Sequence, residues 1–311
     1  MSLAATSLPV PLRIGLWMIV TAVSFGAMVG TVRYLSAEMD VLVLSFWRNV
    51  FAALAVVPWL IGAGFGELKT RRIGLYTVRS AIFVASTVSL FMAVAVLPLA
   101  EATALSFTAP LFATVLAVWL LKENVTPARW AAVAVGFAGV LIILRPGIAA
   151  FDPIALVVLF SAATFAGTVV TGKMLAATER SAPTVFYLSA LAVPLSLLPA
   201  LFVWHWPTAQ QWAWLVLLGL LAAVNMYGVQ RALRIGDASQ TTPFDFIRLP
   251  CSALVGYVAF DEQPDVWTWI GAAVILSSAF VIARSETKAA EEPAGQKTSG
   301  QKKVRMAETT S

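Results

Sequence analysis

The chain carries one pattern twice, and each copy holds an odd number of membrane-length apolar runs. In the first copy Ala102-Thr103-Ala104 opens a run that ends at Glu123, with Trp130 seven residues beyond. In the second, Ala238-Ser239-Gln240 opens a run that ends at Glu262, with Trp269 seven residues beyond. The two patterns lie 136–139 residues apart. A copy with five runs leaves the bilayer on the face opposite the one it entered. Two such copies in one bilayer are therefore inverted relative to each other.

The runs leave little choice of secondary structure. Hydrophobic residues make up 59% of the 311 and charged residues 12%, about half the charged share of an average soluble domain. Ten runs stand near 13–32, 42–62, 73–96, 101–121, 128–144, 153–173, 183–204, 211–230, 238–260 and 265–283. Their length suits helices crossing hydrocarbon, whereas membrane strands alternate over about ten residues. The expected fold is an all-α integral membrane bundle of ten transmembrane helices, arranged as inverted repeats over 13–145 and 152–284. A short segment, 1–12, precedes them. The tail, 285–311, turns polar, with Gly, Pro, Ser, Thr, Gln and Lys, and reads as disordered and solvated.

Charge gives an orientation. Arg13, Lys69, Arg71, Arg72, Lys122, Arg129, Lys173, Arg180, Arg231 and Arg234 fall on one set of alternate connections, and only Arg33 and Arg145 on the other. By the positive-inside rule both termini are expected in the cytoplasm. A missed or extra helix would scramble this alternation.

Catalytic chemistry finds no footing. There is one cysteine, Cys251, and one histidine, His205, so no Cys/His metal or nucleophile set can form. No phosphate loop, nucleophile elbow or paired catalytic carboxylates occur. No enzyme activity, metal, cofactor or nucleic-acid partner is expected.

Polar groups inside the runs are costly and are functional candidates by default. Arg48 lies about two turns into the second run, beside Trp47. It either binds a substrate carboxylate or phosphate or ties helices together. Asp245 and Arg248 stand three apart on one helix face, flanked by Pro243 and Pro250. They pair, bind substrate, or do both in turn, and Asp245 is the proton-coupling candidate. Asn225, Tyr227 and Gln230 form a late polar patch in the eighth run. At an offset of 136, Tyr227 shares an aromatic slot with Phe91, and Asn225 matches Ser89. Trp47, Phe107 and Tyr187 are further pocket candidates. Trp204, Trp206, Trp212, Trp214, Trp267 and Trp269 read as interfacial anchors, and Arg79 as a side chain reaching for water. Gly26, Gly30, Gly136, Gly139 and Gly271 read as close-packing positions.

The stretch from Leu97-Pro98-Leu99-Ala100-Glu101 through Phe107-Thr108-Ala109-Pro110-Leu111-Phe112, with Leu120-Leu121-Lys122-Glu123, Trp130, Gly136 and Gly139-Val140, resembles the EamA domain of the drug/metabolite transporter superfamily. Thr242-Pro243-Phe244-Asp245 and Phe260-Asp261-Glu262 look like the same places in a diverged second copy. The resemblance implies ten helices with cytoplasmic termini, a cavity between the repeats, and alternating access. It implies a secondary transporter for a small organic molecule, in a family that moves amino-acid-like metabolites, vitamins, S-adenosylmethionine, metallophores and organic cations.

The two intramembrane arginines favour a polar or zwitterionic metabolite, and export is the expected direction. The alternatives are a pump for organic cations, a membrane-embedded enzyme, or a channel subunit. Expected partners are the substrate, a coupling proton and membrane lipid, with the protein as a monomer or homodimer.

Overall fold

The computed structural model describes residues 9–63, 70, 72–122, 125–145, 152–176, 181–235, 241 and 244–291. Lys69, Arg71, Glu123, Arg180, Thr242, Pro243, most of the expected tail and residues 238–240 lie outside this set. The described residues form α1 (Val10–Leu35), α2 (Val41–Ala63), α3 (Ile73–Val94), α4 (Leu99–Ser106), α5 (Ala109–Leu121), α6 (Pro127–Leu144), α7 (Ile154–Ala176), α8 (Ser181–Ala200), α9 (Ala209–Ile235), α10 (Arg248–Phe260) and α11 (Val266–Glu291). Eight spans are long and apolar enough to cross a membrane, with α4 and α5 counted as one, and the apolar stretches Val41–Ala55 and Arg248–Phe260 add two shorter ones. These are the ten expected spans. The last helix runs on to Glu291, past the expected end at 284.

Two of the ten are interrupted. The fourth breaks between α4 and α5 at Phe107 and Thr108. Pro110 follows in the first turn of α5, where a missing amide breaks no helical bond. The ninth is helical at 244–245, turns at Phe246 and Ile247, and resumes as α10. Pro250 again sits in the first turn, where orphan amides are the rule. The break positions, Phe107 and Phe246, are 139 residues apart. Backbone carbonyls near the breaks are met by local hydroxyls: Thr108 donates to the Leu105 carbonyl at 2.7 Å and Ser252 to the Arg248 carbonyl at 2.8 Å. In lipid such groups must find partners within the protein. The half-helices α5 and α10 end alike, on left-handed Lys122 (φ 53°) and Asp261 (φ 56°), again 139 apart.

The packing obeys the same two-fold relation. α1 lies on α9 as α7 lies on α3; α1 lies on α10 as α7 lies on α5; α2 lies on α9 as α8 lies on α3. α2 with α8, and α6 with α11, pair across the axis. Side-chain bonds repeat too. Ser86 donates to the Ser161 carbonyl at 2.9 Å, and Asn225 to the Thr21 carbonyl at 2.9 Å. The donors lie 139 apart and the acceptors 140, close to the 139 of the helix breaks and unlike 136. Ser86, not Ser89, is the partner position of Asn225. Phe91, 1% exposed in the core, and Tyr227, 49% exposed, share no aromatic slot. Apolar helices align at several registers, and only the hydrogen bonds choose one.

The glycines act where close packing was expected. A Cβ on Gly26 would meet the Cys251 backbone of α10 at 3.2 Å, and one on Gly271 the Gly139 carbonyl of α6 at 2.7 Å. The outer surface is apolar, with Trp119, Phe202, Leu254 and Val258 well exposed. That suits contact with lipid.

Candidate functional site

The helix breaks bring chemistry to the two-fold axis. Phe107 and Phe246 meet edge to face, with ring centroids 5.7 Å apart. Phe246 was missed in the sequence, although the 139-residue spacing of Glu123 and Glu262 points from Phe107 straight to it. Beside the rings lies the ion pair, Arg248 Nε 2.9 Å from Asp245 Oδ1. The Nε–H is not aligned on the carboxylate oxygen. The contact is an ion pair and not an aligned hydrogen bond. The Arg248 guanidinium also sits 5.2 Å from the ring centre of Phe25 on α1, a second residue missed in the sequence. Phe25 and Phe107 belong to one hydrophobic core, and Phe246 packs against it. The pair thus lies between α1 and α10, and its side chains keep 20% and 33% of their surface accessible. A charged pair with accessible surface between packed helices is free to meet a small polar molecule.

Arg48 stands apart from this group. It donates to Asn49 Oδ1 at 2.9 Å and lies 5.5 Å from the ring centre of Phe83 on α3. It forms no ion pair among the described residues. A cation left without a carboxylate in mid-span is a costly arrangement that substrate binding would explain.

The other candidates each contact neighbouring side chains or backbone. Trp47 packs on Trp212, with centroids 4.4 Å apart, and on Phe46, Phe51 and Trp204. Trp204 and Trp212, expected at the membrane interface, are drawn into this cluster because α8 and α9 close on α2 there. Trp206, Trp267 and Trp269 stay exposed. Tyr187 stacks on Tyr76 of α3 at 4.9 Å. Asn225 donates to the Thr21 carbonyl at 2.9 Å. Tyr227 faces outward, accepts a hydrogen bond from Arg231 at 2.7 Å and meets Trp17. Arg79 does not reach for water: its Nε donates to the Thr168 carbonyl of α7 at 3.2 Å.

The face opposite the start of α1 and the end of α11 carries a second polar region. Arg33 on α1 lies 3.5 Å from Glu262, and Glu262 accepts the Leu99 amide of α4 at 2.7 Å. Nearby, Arg145 pairs with Asp265. They border a cavity of about 330 Å³ whose walls include Leu97, Glu101, Asp152 and Thr268. Partial burial pushes the Asp265 carboxyl up, but hydrogen bonds from the Thr268 hydroxyl and amide, together with Arg145, hold it below the usual carboxylate range.

Broken helices at matched places in two inverted halves, with a charged pair at the break, are the design of a secondary transporter. The sequence matches the EamA-like transporter family twice, over residues 12–145 and 152–284. The chain belongs to that family. It is 30% identical to the S-adenosylmethionine uptake transporter of Rickettsia bellii over 273 residues, covering 88% of this chain and 94% of the relative. It is 32% identical to the riboflavin transporter of Rhizobium johnstonii over 282 residues, covering 90% and 93%. A solved crystal structure, 20% identical, shares the fold with a TM-score of 0.60 over 88% of this chain and 96% of that one. The protein is a multi-pass bacterial membrane transporter of small molecules and not an enzyme.

Proposed function

We propose that the chain carries a small polar metabolite bearing a flat heteroaromatic ring, bound at the two helix breaks. The meeting of Phe107 and Phe246 beside the Asp245–Arg248 pair carries this reading. Aromatic rings take a planar group on their faces or edges. Asp245 offers a partner to a substrate ammonium or sulfonium, and Arg248 a planar fork to a carboxylate. A zwitterion neutralises both charges when the pair parts, so binding leaves no lone charge behind. The relatives' names fit this chemistry: S-adenosylmethionine joins a purine to an amino acid, and riboflavin is a fused ring with a polar chain. The Rickettsia relative is named for uptake, which favours uptake here over the export expected from the sequence. Arg48 is a second anchor for a substrate anion, and Asp245 the group that takes a coupling proton.

Purified protein in liposomes tests this. Labelled S-adenosylmethionine or riboflavin should enter faster than into empty liposomes. Phe246→Ala should cut that rate several-fold with the fold retained. If neither compound moves, and neither raises the melting temperature of the protein, the substrate class proposed here is wrong.

A further inference from the structure

Every alternating-access carrier must close one face while the other opens, and the contacts that cross between its halves on the closed face must then part. Among the described residues, two ion pairs cross between the repeats on the face opposite the start of α1 and the end of α11. They differ in what surrounds them.

Arg145–Asp265 joins the end of α6 to the start of α11. Those helices touch backbone to backbone. A Cβ on Gly139 would meet the Gly271 carbonyl at 3.0 Å, and Ser278 Oγ donates to the Ala132 carbonyl. Such a seam cannot open without losing its close packing. This pair belongs to a fixed joint.

Arg33–Glu262 is built otherwise. Arg33 Nη1 already donates to the Val94 and Leu97 carbonyls of its own repeat, at 3.0 and 3.3 Å. It stays satisfied when Glu262 leaves. Glu262 reaches across from the second repeat and accepts the Leu99 amide at the N-terminus of α4. A carboxylate is favoured there by the helix dipole and by the orphan amides. The ion pair itself is long at 3.5 Å, and its side chains are 24% and 11% accessible. It is therefore a contact that can be made and broken.

The geometry of Glu262 is specific. Left-handed Asp261 reverses the chain after α10, and the Glu262 amide donates to the Gly256 carbonyl at 3.0 Å. The carboxylate folds back over Gly256, where a Cβ would lie 2.5 Å from Oε2. Only glycine leaves it this room. The held element also matters. α4 is eight residues long, about 12 Å of helix, and its far end delivers Phe107 to the two-fold axis.

We propose that Arg33 and Glu262 form the gate that seals this face, and that their separation frees α4 and opens the Phe107–Phe246 site to that side. The inference rests on the reading of those rings as the substrate site, but its test needs no substrate. Cys251 is the only cysteine of the chain and lies beneath the gate, where α10 touches Gly26. A membrane-impermeant maleimide is added to that face alone of sealed vesicles. Wild-type Cys251 should react slowly. Glu262→Gln keeps an acceptor for the Leu99 amide but loses the charge, and Gly256→Ala displaces the carboxylate. Each should raise the labelling rate several-fold, as should Arg33→Ala, with gel-filtration profiles unchanged. Arg145→Ala should not.

Unchanged labelling in Glu262→Gln and Gly256→Ala would overturn the gate. So would an equal rise in Arg145→Ala, or wild-type Cys251 reacting as fast as in denatured protein. A failed gate beside intact metabolite uptake would leave the substrate site standing. The reverse result would leave the gate standing.

Discussion

Asp245 and Arg248 neutralise each other at a helix break, and the same two charges are the natural partners of a zwitterion. Either alanine change alone leaves one charge uncompensated between α1 and α10. The loss of stability should fall short of the about 3–5 kcal/mol seen when a fully buried pair is broken, because both side chains keep accessible surface. The double change removes both charges and should restore the melting temperature in detergent. If the pair meets the substrate as proposed, uptake should not return with the fold. Uptake at the wild-type rate in the folded double mutant would reduce the pair to a scaffold. Asp265 gives a different test, outside the membrane spans. Its carboxyl is held below its ordinary value of 3.8. In the unfolded chain it takes up a proton at a higher pH than in the folded one. Its contribution to stability is therefore complete above the unfolded value and fades as pH falls through the folded one. Asp265→Asn should melt at a lower temperature than wild type at pH 6, and the gap should shrink below about pH 4. A gap that stays constant down to pH 3 would mean that the Thr268 and Arg145 contacts do not act on the ionised form.

Among the elements, the α6–α11 seam is the most constrained. Gly271→Ala places a methyl 2.7 Å from the Gly139 carbonyl, a backbone atom that cannot rotate away. Forced separation of this kind costs about 1–3 kcal/mol, so the thermal midpoint in detergent should drop. Gly74→Ala, with nothing within 4 Å of the new methyl, is the matched control and should leave it unchanged or raised. Equal midpoints for both variants would mean that the seam relaxes freely. The glycines of this seam were legible in the sequence, because small residues in an apolar run have few other uses. The ten spans were legible too, since hydrocarbon thickness fixes their length. The break at Phe107 was not. The run from Leu99 to Leu121 carries one charge, Glu101, near its start and reads as a single span, and hydropathy does not register a turn made by two residues. The facing of Trp47, Tyr187 and Tyr227 was equally hidden. A helix apolar on all sides has no periodicity to say which side meets protein and which meets lipid. Asp245 and Arg248 could be found because charge in an apolar run stands out, and Phe25 could not because another phenylalanine there does not.

For the molecule as a whole, the two-fold relation makes the halves nearly interchangeable, so the fold does not decide which way round it sits in the membrane. Charge must decide it. Arg13, Arg72, Lys122, Lys173, Arg231 and Arg234 all lie toward the end of the bundle that holds the start of α1 and the end of α11, and Arg33 and Arg145 lie at the other. Positive loops resist translocation, so the first end is expected in the cytoplasm and the Arg33–Glu262 face in the periplasm. Single cysteines in a Cys251→Ser background test this. Lys122→Cys should be shielded from an impermeant thiol reagent in intact cells and react after permeabilisation. Asp152→Cys, on the other face, should react in intact cells. Reaction of Lys122→Cys from outside, with Asp152→Cys protected, would invert the molecule. The gate would then seal the cytoplasmic side, and a carrier closed there faces the periplasm. The orientation therefore fixes which step of the cycle the closed Arg33–Glu262 contact represents. With cytoplasmic termini it is the carrier sealed against the periplasm, the state from which an incoming substrate is released.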